Sequence, residues 1–264
     1  MDFFTSNDWL GREGPYAFKL DHLLFILISL TLGVLLAFLL KKKDKKIVKG
    51  VLISLWAFTV AVEVFYYSVI YTLAIVDPTN HPFNIEYNLP LHSCLMYLYI
   101  FPLAMFVKNK TIKTMANNFL VVVNMIMGFI TLFVGCPPKG YSALSFHGLQ
   151  SMIYHSIIVI SPIIMLVTNF YDIKVKDIKY GLILFGFLTI MMWTFDAITG
   201  CDYFYIYDGH TFGILYEISE NVHHLVWTLI VVSCYVITAF VVHFMVIGIK
   251  YLVSKKQNKL NSNE

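Results

Sequence analysis

The sequence predicts an all-α fold: a polytopic membrane protein, a seven-transmembrane-helix bundle forming one domain, with the N-terminus outside and the C-terminus inside. Three observations predict it. Hydrophobic residues make up 58% of the 264 and charged residues 13%, with a mean hydropathy of +0.72, too much apolar surface for the single core of a soluble globule. Apolar runs recur at 18–40, 49–73, 89–107, 115–134, 150–169, 180–200 and 222–249, most near the ~20 residues that cross the hydrocarbon as helix. Lysines alternate between the gaps. Lys41, Lys42, Lys43, Lys45, Lys46 and Lys49 follow the first run, Lys108, Lys110 and Lys113 the third, Lys174, Lys176 and Lys179 the fifth, and Lys250, Lys255, Lys256 and Lys259 the last. That puts 16 of the 19 basic residues on one side and leaves Arg12, Lys19 and Lys139 on the other, the bias that short cytoplasmic loops carry.

The net charge of +3 therefore reflects insertion and calls for no nucleic acid. Residues 1–16 are too polar and acidic for a secretory leader, so the first run reads as a retained helix. Eighteen lysines against one arginine, with abundant Ile, Asn and Phe, point to AT-rich coding and a bacterial plasma membrane. Cys136 and Cys201 fall in or beside outer loops and either pair in an oxidising compartment or stay thiols.

An ionisable group at the bilayer centre costs about 2.5–3.5 kcal/mol, so each one inside a run is a functional candidate. Asp21 and His22 open the first run, and Glu63 sits midway to outward in the second. The third opens with Asn88-Leu89-Pro90-Leu91-His92-Ser93-Cys94, where Pro90 fits a first helical turn and Asn88 its cap. His92 and Cys94 would then lie just inside the membrane. They are two residues apart and share no helix face, so a base for Cys94 must come from another span, and His155 is the best placed. The fourth run is a plain apolar span. In the fifth, His147, Ser151 and His155 follow i, i+4, i+8 spacing along one face, with Gln150 beside it. Trp193 and Asp196 share a face at the end of the sixth run. Glu217, Glu220 or Asn221, and His224 form a stripe leading into the seventh. Only His243 lies toward the inner end of a span, so the polar centre faces outward.

Plainer readings exist for each. Asp21, Glu217, Glu220, His223 and His224 sit near the boundary, where solvation suffices. Cys94 alone is a small buried hydrophobe, and Glu63 and His155 need only an interhelical hydrogen-bonded partner.

Leu89-Pro90-Leu91-His92-Ser93-Cys94, the interval from Gln150 to His155, and Gly200-Cys201-Asp202-Tyr203-Phe204 together resemble the YwaF-like bacterial integral membrane proteins, related to the eukaryotic transmembrane protein one-six-four. Asp21-His22 and Glu63 add an acidic-His start and an acidic second span, and the resemblance runs through nearly the whole chain. It implies a seven-helix acyltransferase that moves an acyl chain between phospholipids through a cysteine thioester. Cys94 would be the nucleophile, His155 its base and His92 the group orienting the headgroup, with Glu63, Gln150, Asp196 and His22 binding substrate or supporting the site. Asp196 and Asp202 stand where the family leads one to expect asparagine, and His147 does not align with its upstream histidine. Membrane lipids are the implied partners, and no cofactor is implied.

Two other classes fit the residues. A zinc-dependent lipid hydrolase would hold its metal with His92, His155, His224 and a carboxylate such as Asp196, although no H-x-x-x-H or H-E-x-x-H spacing is present. A carrier or receptor would use the same outward pocket without chemistry.

Overall fold

The computed structural model describes residue 4, residues 18–135, 141–207, 209 and 218–261. Every regular element among them is helical. In chain order these are α1 (Leu20–Leu40), α2 (Lys45–Val76), a shorter apolar helix α3 (Ser93–Phe106), α4 (Lys110–Val134), α5 (Phe146–Val167), α6 (Val175–Thr199) and α7 (His224–Lys255). The helix of α7 runs on to Asn261. All but α3 are long and apolar enough to cross a membrane. Six spanning-length helices and one shorter one thus occupy the seven apolar runs, because lipid offers no partner for an exposed N–H or C=O and the helix satisfies both internally.

The helices do not share the interior equally. In the most apolar windows of α4 and α5, 61% of residues are buried, against 22% in α1 and α2 and 11% in α7. α5 packs against α1, α2 and α4, and α4 packs against α3 and α6. These two are the central pair, and the outer helices turn leucine, isoleucine and phenylalanine toward the lipid.

Local chemistry sets the ends. Asn109 caps α4, its side chain accepting from the N–H of Thr111 at 2.9 Å and of Ile112 at 3.2 Å, the ordinary use of asparagine at a first turn. Ser145 caps α5 through the N–H of Gly148 at 3.0 Å. α6 stops at Gly200, whose φ of 73° is the left-handed turn that glycine adopts without cost.

The third helix departs from the sequence reading. Asn88 does not cap it, and Pro90 is not in its first turn. Asn88 ends a four-residue turn, Ile85–Asn88, and the chain stays irregular until His92, the residue before a three-residue 3-10 turn, Ser93–Leu95, that leads into Met96–Phe106. Tyrosines explain the delay. The hydroxyl of Tyr71 donates to the Asn88 carbonyl at 2.7 Å and that of Tyr99 to the Pro90 carbonyl at 3.1 Å, satisfying from outside what a continuing helix would satisfy from within.

A second departure lies in α4, which widens into π-helix at Phe119–Asn124 and Thr131–Gly135. Each such segment lets an extra residue bulge out and redirects the side chains around it. Of the sequence candidates, Arg12, Lys139, Cys136 and Glu217 lie outside the described residues; Cys201 is a buried free thiol.

Candidate functional site

Cys94 is the second residue of its helix and is buried, 7% exposed. Both π segments of α4 end or begin against it. Asn124, the last residue of the first, donates its side-chain N–H to the Cys94 carbonyl at 3.1 Å. Thr131, the first residue of the second, has its Oγ1 3.4 Å from the Cys94 Sγ. From α5, the Tyr154 hydroxyl donates to the same Cys94 carbonyl at 2.9 Å. The backbone around the thiol is therefore pinned from two helices, while the thiol's own contacts, to Thr131 and Ser93, are weak, sulfur being a poor hydrogen-bonding partner.

One face of α5 continues this cluster toward α2. Gln150, one turn before Tyr154, donates its side-chain N–H to Glu63 Oε1. A turn earlier, His147 Nδ1 meets the Tyr66 hydroxyl at 3.0 Å, and the His147 ring lies 4.3 Å from that of Tyr141. Glu63 is 3% exposed, and its Oε2 has no hydrogen-bond partner among the described residues. It lies within electrostatic range of Tyr66, Tyr67, Tyr99 and Tyr154, and Tyr154 is also within range of Cys94. The Glu63–Gln150 pair and the Tyr154–Cys94 pair thus share one neighbourhood of the α2, α3 and α5 interface.

His155 follows Tyr154 and faces its own preceding turn. Its Nδ1 is 2.7 Å from the Ser151 carbonyl and 3.3 Å from the Ser151 hydroxyl. A carbonyl only accepts, so Nδ1 carries the proton and Nε2 holds the lone pair when the ring is neutral. The thiol's hydrogen-bond partners are Thr131 and Ser93. His155 is within electrostatic range of His92, which places the two histidines in one neighbourhood.

His92 is half-buried beneath two tyrosines, 4.9 Å from the Tyr203 ring and 6.4 Å from that of Tyr205, centroid to centroid. Asp196 holds that roof in place. Fully buried, it accepts the Tyr203 backbone N–H at 3.2 Å on both carboxylate oxygens, and Asp202 accepts the N–H of Tyr207 at 3.0 Å. The Tyr203 hydroxyl donates to the Ile85 carbonyl. Tyr205 has a positive φ of 58°, a conformation that costs a non-glycine residue energy and persists where its surroundings hold it. Asp196 thereby acts on His92 through the loop from 201 to 207.

His22 belongs to a separate contact. Its Nδ1 accepts the Phe18 N–H at 2.9 Å, so its Nε2–H donates to the Leu132 carbonyl at 3.0 Å. It ties the start of α1 to the π segment whose first residue touches Cys94, and it is fully buried.

Three residues around the thiol, Asn124, Thr131 and Tyr154, were not among the sequence candidates. Asn117, Asn118 and Asn124 are the signal that was available, being amides inside an apolar run and buried in the structure.

The metal set proposed from the sequence does not gather. Among the described residues no three His, Cys, Asp or Glu side chains are placed to hold one ion. Asp196 is committed to the Tyr203 amide, and His224 stacks on Tyr207 at 4.9 Å with its Nδ1 3.1 Å from that residue's carbonyl.

No curated protein and no solved structure matches the chain. A family does: the TMEM164 family, that of the eukaryotic transmembrane protein one-six-four, matches residues 17–246, a stretch that takes in every helix described from α1 to most of α7. The chain is an integral membrane protein of the TMEM164 family.

Proposed function

We propose that the protein is a lipid acyltransferase of the bacterial plasma membrane, working through an acyl thioester on Cys94 in the outward-facing half of the bundle. The outward orientation follows from the lysine bias of the loops. The observation that carries the chemistry is the position of Cys94. Because the helix begins at Ser93, the thiol sits in the first turn, where the amide dipoles favour a thiolate, and Tyr154 and Asn124 hold its backbone.

The steps balance simply. His155 Nε2 takes the thiol proton; the thiolate attacks the ester carbonyl of a donor phospholipid; the C–O bond breaks, and the departing lysophospholipid oxygen takes the proton back. A second lysophospholipid hydroxyl then gives its proton to His155 and attacks the thioester carbonyl; the C–S bond breaks, and the departing Cys94 sulfur takes that proton back from His155. His92, between Tyr203 and Tyr205, orients the headgroup.

The test is intact-protein mass spectrometry after incubation with phospholipid labelled in its acyl chain. The wild type gains one acyl mass, released by hydroxylamine, and Cys94→Ser gains none and loses most turnover. A folded Cys94→Ser protein with wild-type lipid turnover would rule out the covalent route. Turnover lost on chelation and restored by zinc would instead favour the hydrolase, and absence of any turnover a carrier.

A further inference from the structure

Between α2 and α3 lies a cavity of about 400 Å³, lined by Glu63, Tyr67, Ser68, Tyr71, Pro90 and Tyr99 among others, within the size range of small-molecule sites. It opens sideways, past Val64 and Tyr99, which are 62% and 46% exposed. Most of its polar groups are already committed. The Ser68 hydroxyl donates to the Val64 carbonyl at 2.6 Å, and those of Tyr71 and Tyr99 donate to Asn88 and Pro90. With their hydroxyls turned to backbone, Tyr71 and Tyr99 have chiefly ring surface left for a guest. The carboxylate is different. Glu63 Oε1 is taken by Gln150, and the buried Oε2 has no hydrogen-bond partner among the described residues, a condition that a buried polar atom rarely keeps without a reason. Among the described residues no lysine, arginine or histidine lines the cavity.

An anionic guest would meet a carboxylate and no cation there. A sugar would find too few donors. A compact organic cation finds both things it needs, a counter-charge and aromatic walls, which together hold ammonium groups in desolvated sites. We infer that this cavity is an ammonium subsite, with the Glu63 carboxylate in its wall as counter-charge and the rings of Tyr67, Tyr71 and Tyr99 as its other walls. The ammonium belongs either to a phospholipid headgroup entering from the side or to a free amine. Pro90 and Leu98, four residues to either side of Cys94, both line the cavity, so a headgroup held there lies against the helix that carries the thiol. The lipid arm of this inference rests on the acyltransferase reading; the subsite itself does not.

The experiment is equilibrium binding to the full chain in phosphatidylglycerol nanodiscs, which contain no ammonium lipid. The probes are choline and its neutral isostere 3,3-dimethylbutan-1-ol. Choline is expected to bind at least about tenfold more tightly than the isostere, the discrimination that cation–π contact and a nearby counter-charge supply to a quaternary ammonium, which has no N–H to donate. Glu63→Gln should erase the preference, and Cys94→Ser should keep it. Should Glu63→Gln not fold, Tyr99→Leu, at the exposed wall, is expected to weaken choline and spare the isostere. Nanodiscs containing phosphatidylcholine separate the sources, since competition with choline identifies the headgroup and its absence identifies a free amine. Equal binding of choline and the isostere, an unchanged preference in Glu63→Gln, or displacement of choline by potassium at equal concentration would each overturn the subsite. Choline preference without any acyl adduct on Cys94 sinks the acyltransferase alone, and an adduct without choline preference sinks the subsite alone.

Discussion

Replacing Gly148 by alanine puts the fixed turn ahead of α5 to the test. A Cβ there would stand 1.8 Å from the Ser142 carbonyl oxygen, 2.8 Å from its carbon and 3.1 Å from the Ala143 Cα. All three are backbone atoms, so no rotamer change relieves the overlap. The Ser142 oxygen is also tethered, accepting the Ser145 N–H at 3.1 Å and the Ser145 hydroxyl at 2.9 Å. Ordinary contact between nonbonded heavy atoms is roughly 3.5 Å, so the turn and the helix must part by more than about 1 Å. Overpacking typically costs about 1–3 kcal/mol, and two strained hydrogen bonds add roughly 1 kcal/mol each, for a total near 4 kcal/mol and a fall in Tm of roughly 10 °C. Function should suffer more than stability. Gln150, Tyr154 and His155 follow Gly148 on the same helix, and a 1 Å misplacement of reacting groups can cost about 10²-fold in rate. Thermal unfolding in detergent and turnover of labelled phospholipid measure the two effects, with Gly186→Ala as control, since nothing lies within 4 Å of the Cβ it would add. Gly148→Ala with Tm and turnover both matching the control would refute the idea that this turn positions α5.

Three further outcomes are expected. A cysteine placed at Lys43 should react with an impermeant maleimide only in inverted vesicles; reaction from outside whole cells would reverse the topology. His155→Ala should slow turnover at neutral pH by about 10²–10⁴-fold, as removal of a general base does, with Tm little changed; an unchanged rate would remove His155 from the chemistry. The Lys250 ammonium of α7, 2.9 Å from Asp172 in the loop between α5 and α6, holds that carboxyl below its usual 3.8. A lowered carboxylate stabilises above its unfolded value and loses that contribution as pH falls through the folded one. Asp172 is exposed, so Asp172→Asn should cost less than about 1 kcal/mol at neutral pH, and denaturation profiles of variant and wild type should converge below about pH 3.8.

Much of the bundle was legible because lipid imposes a simple rule. The apolar runs at 150–169 and 180–200 became helices Phe146–Val167 and Val175–Thr199, their ends shifted only by caps. The start of α3 was not legible. Asn88 and Pro90 satisfy every local rule for a helix entrance, and what overrules them is tertiary, the hydroxyls of Tyr71 and Tyr99 reaching the two carbonyls from elsewhere. Gln150 and Glu63 were both singled out in the sequence, and the structure pairs them. His22 was singled out as well, yet it joins α1 to Leu132. The π segments were invisible, since one extra residue in a helix leaves no mark on hydrophobic periodicity, and with them went Asn124 and Thr131.

The brevity of α3 couples the candidate site to the thickness of the membrane around it. A 3-10 turn of three residues and an α-helix of eleven rise roughly 22 Å, short of the ~30 Å hydrocarbon layer. The irregular stretch around Pro90 must make up the difference, and because its carbonyls are held by tyrosines it can sit at a depth where bare backbone cannot. Lipids beside α3 meet a belt too short for them and either thin or tilt, at a fraction of a kcal/mol per Å. Such local thinning lowers the nearest headgroups and ester bonds toward the depth of Cys94. On the acyltransferase reading proposed above, chain length and temperature, which set bilayer thickness, would then regulate access to the thiol without any ligand being bound.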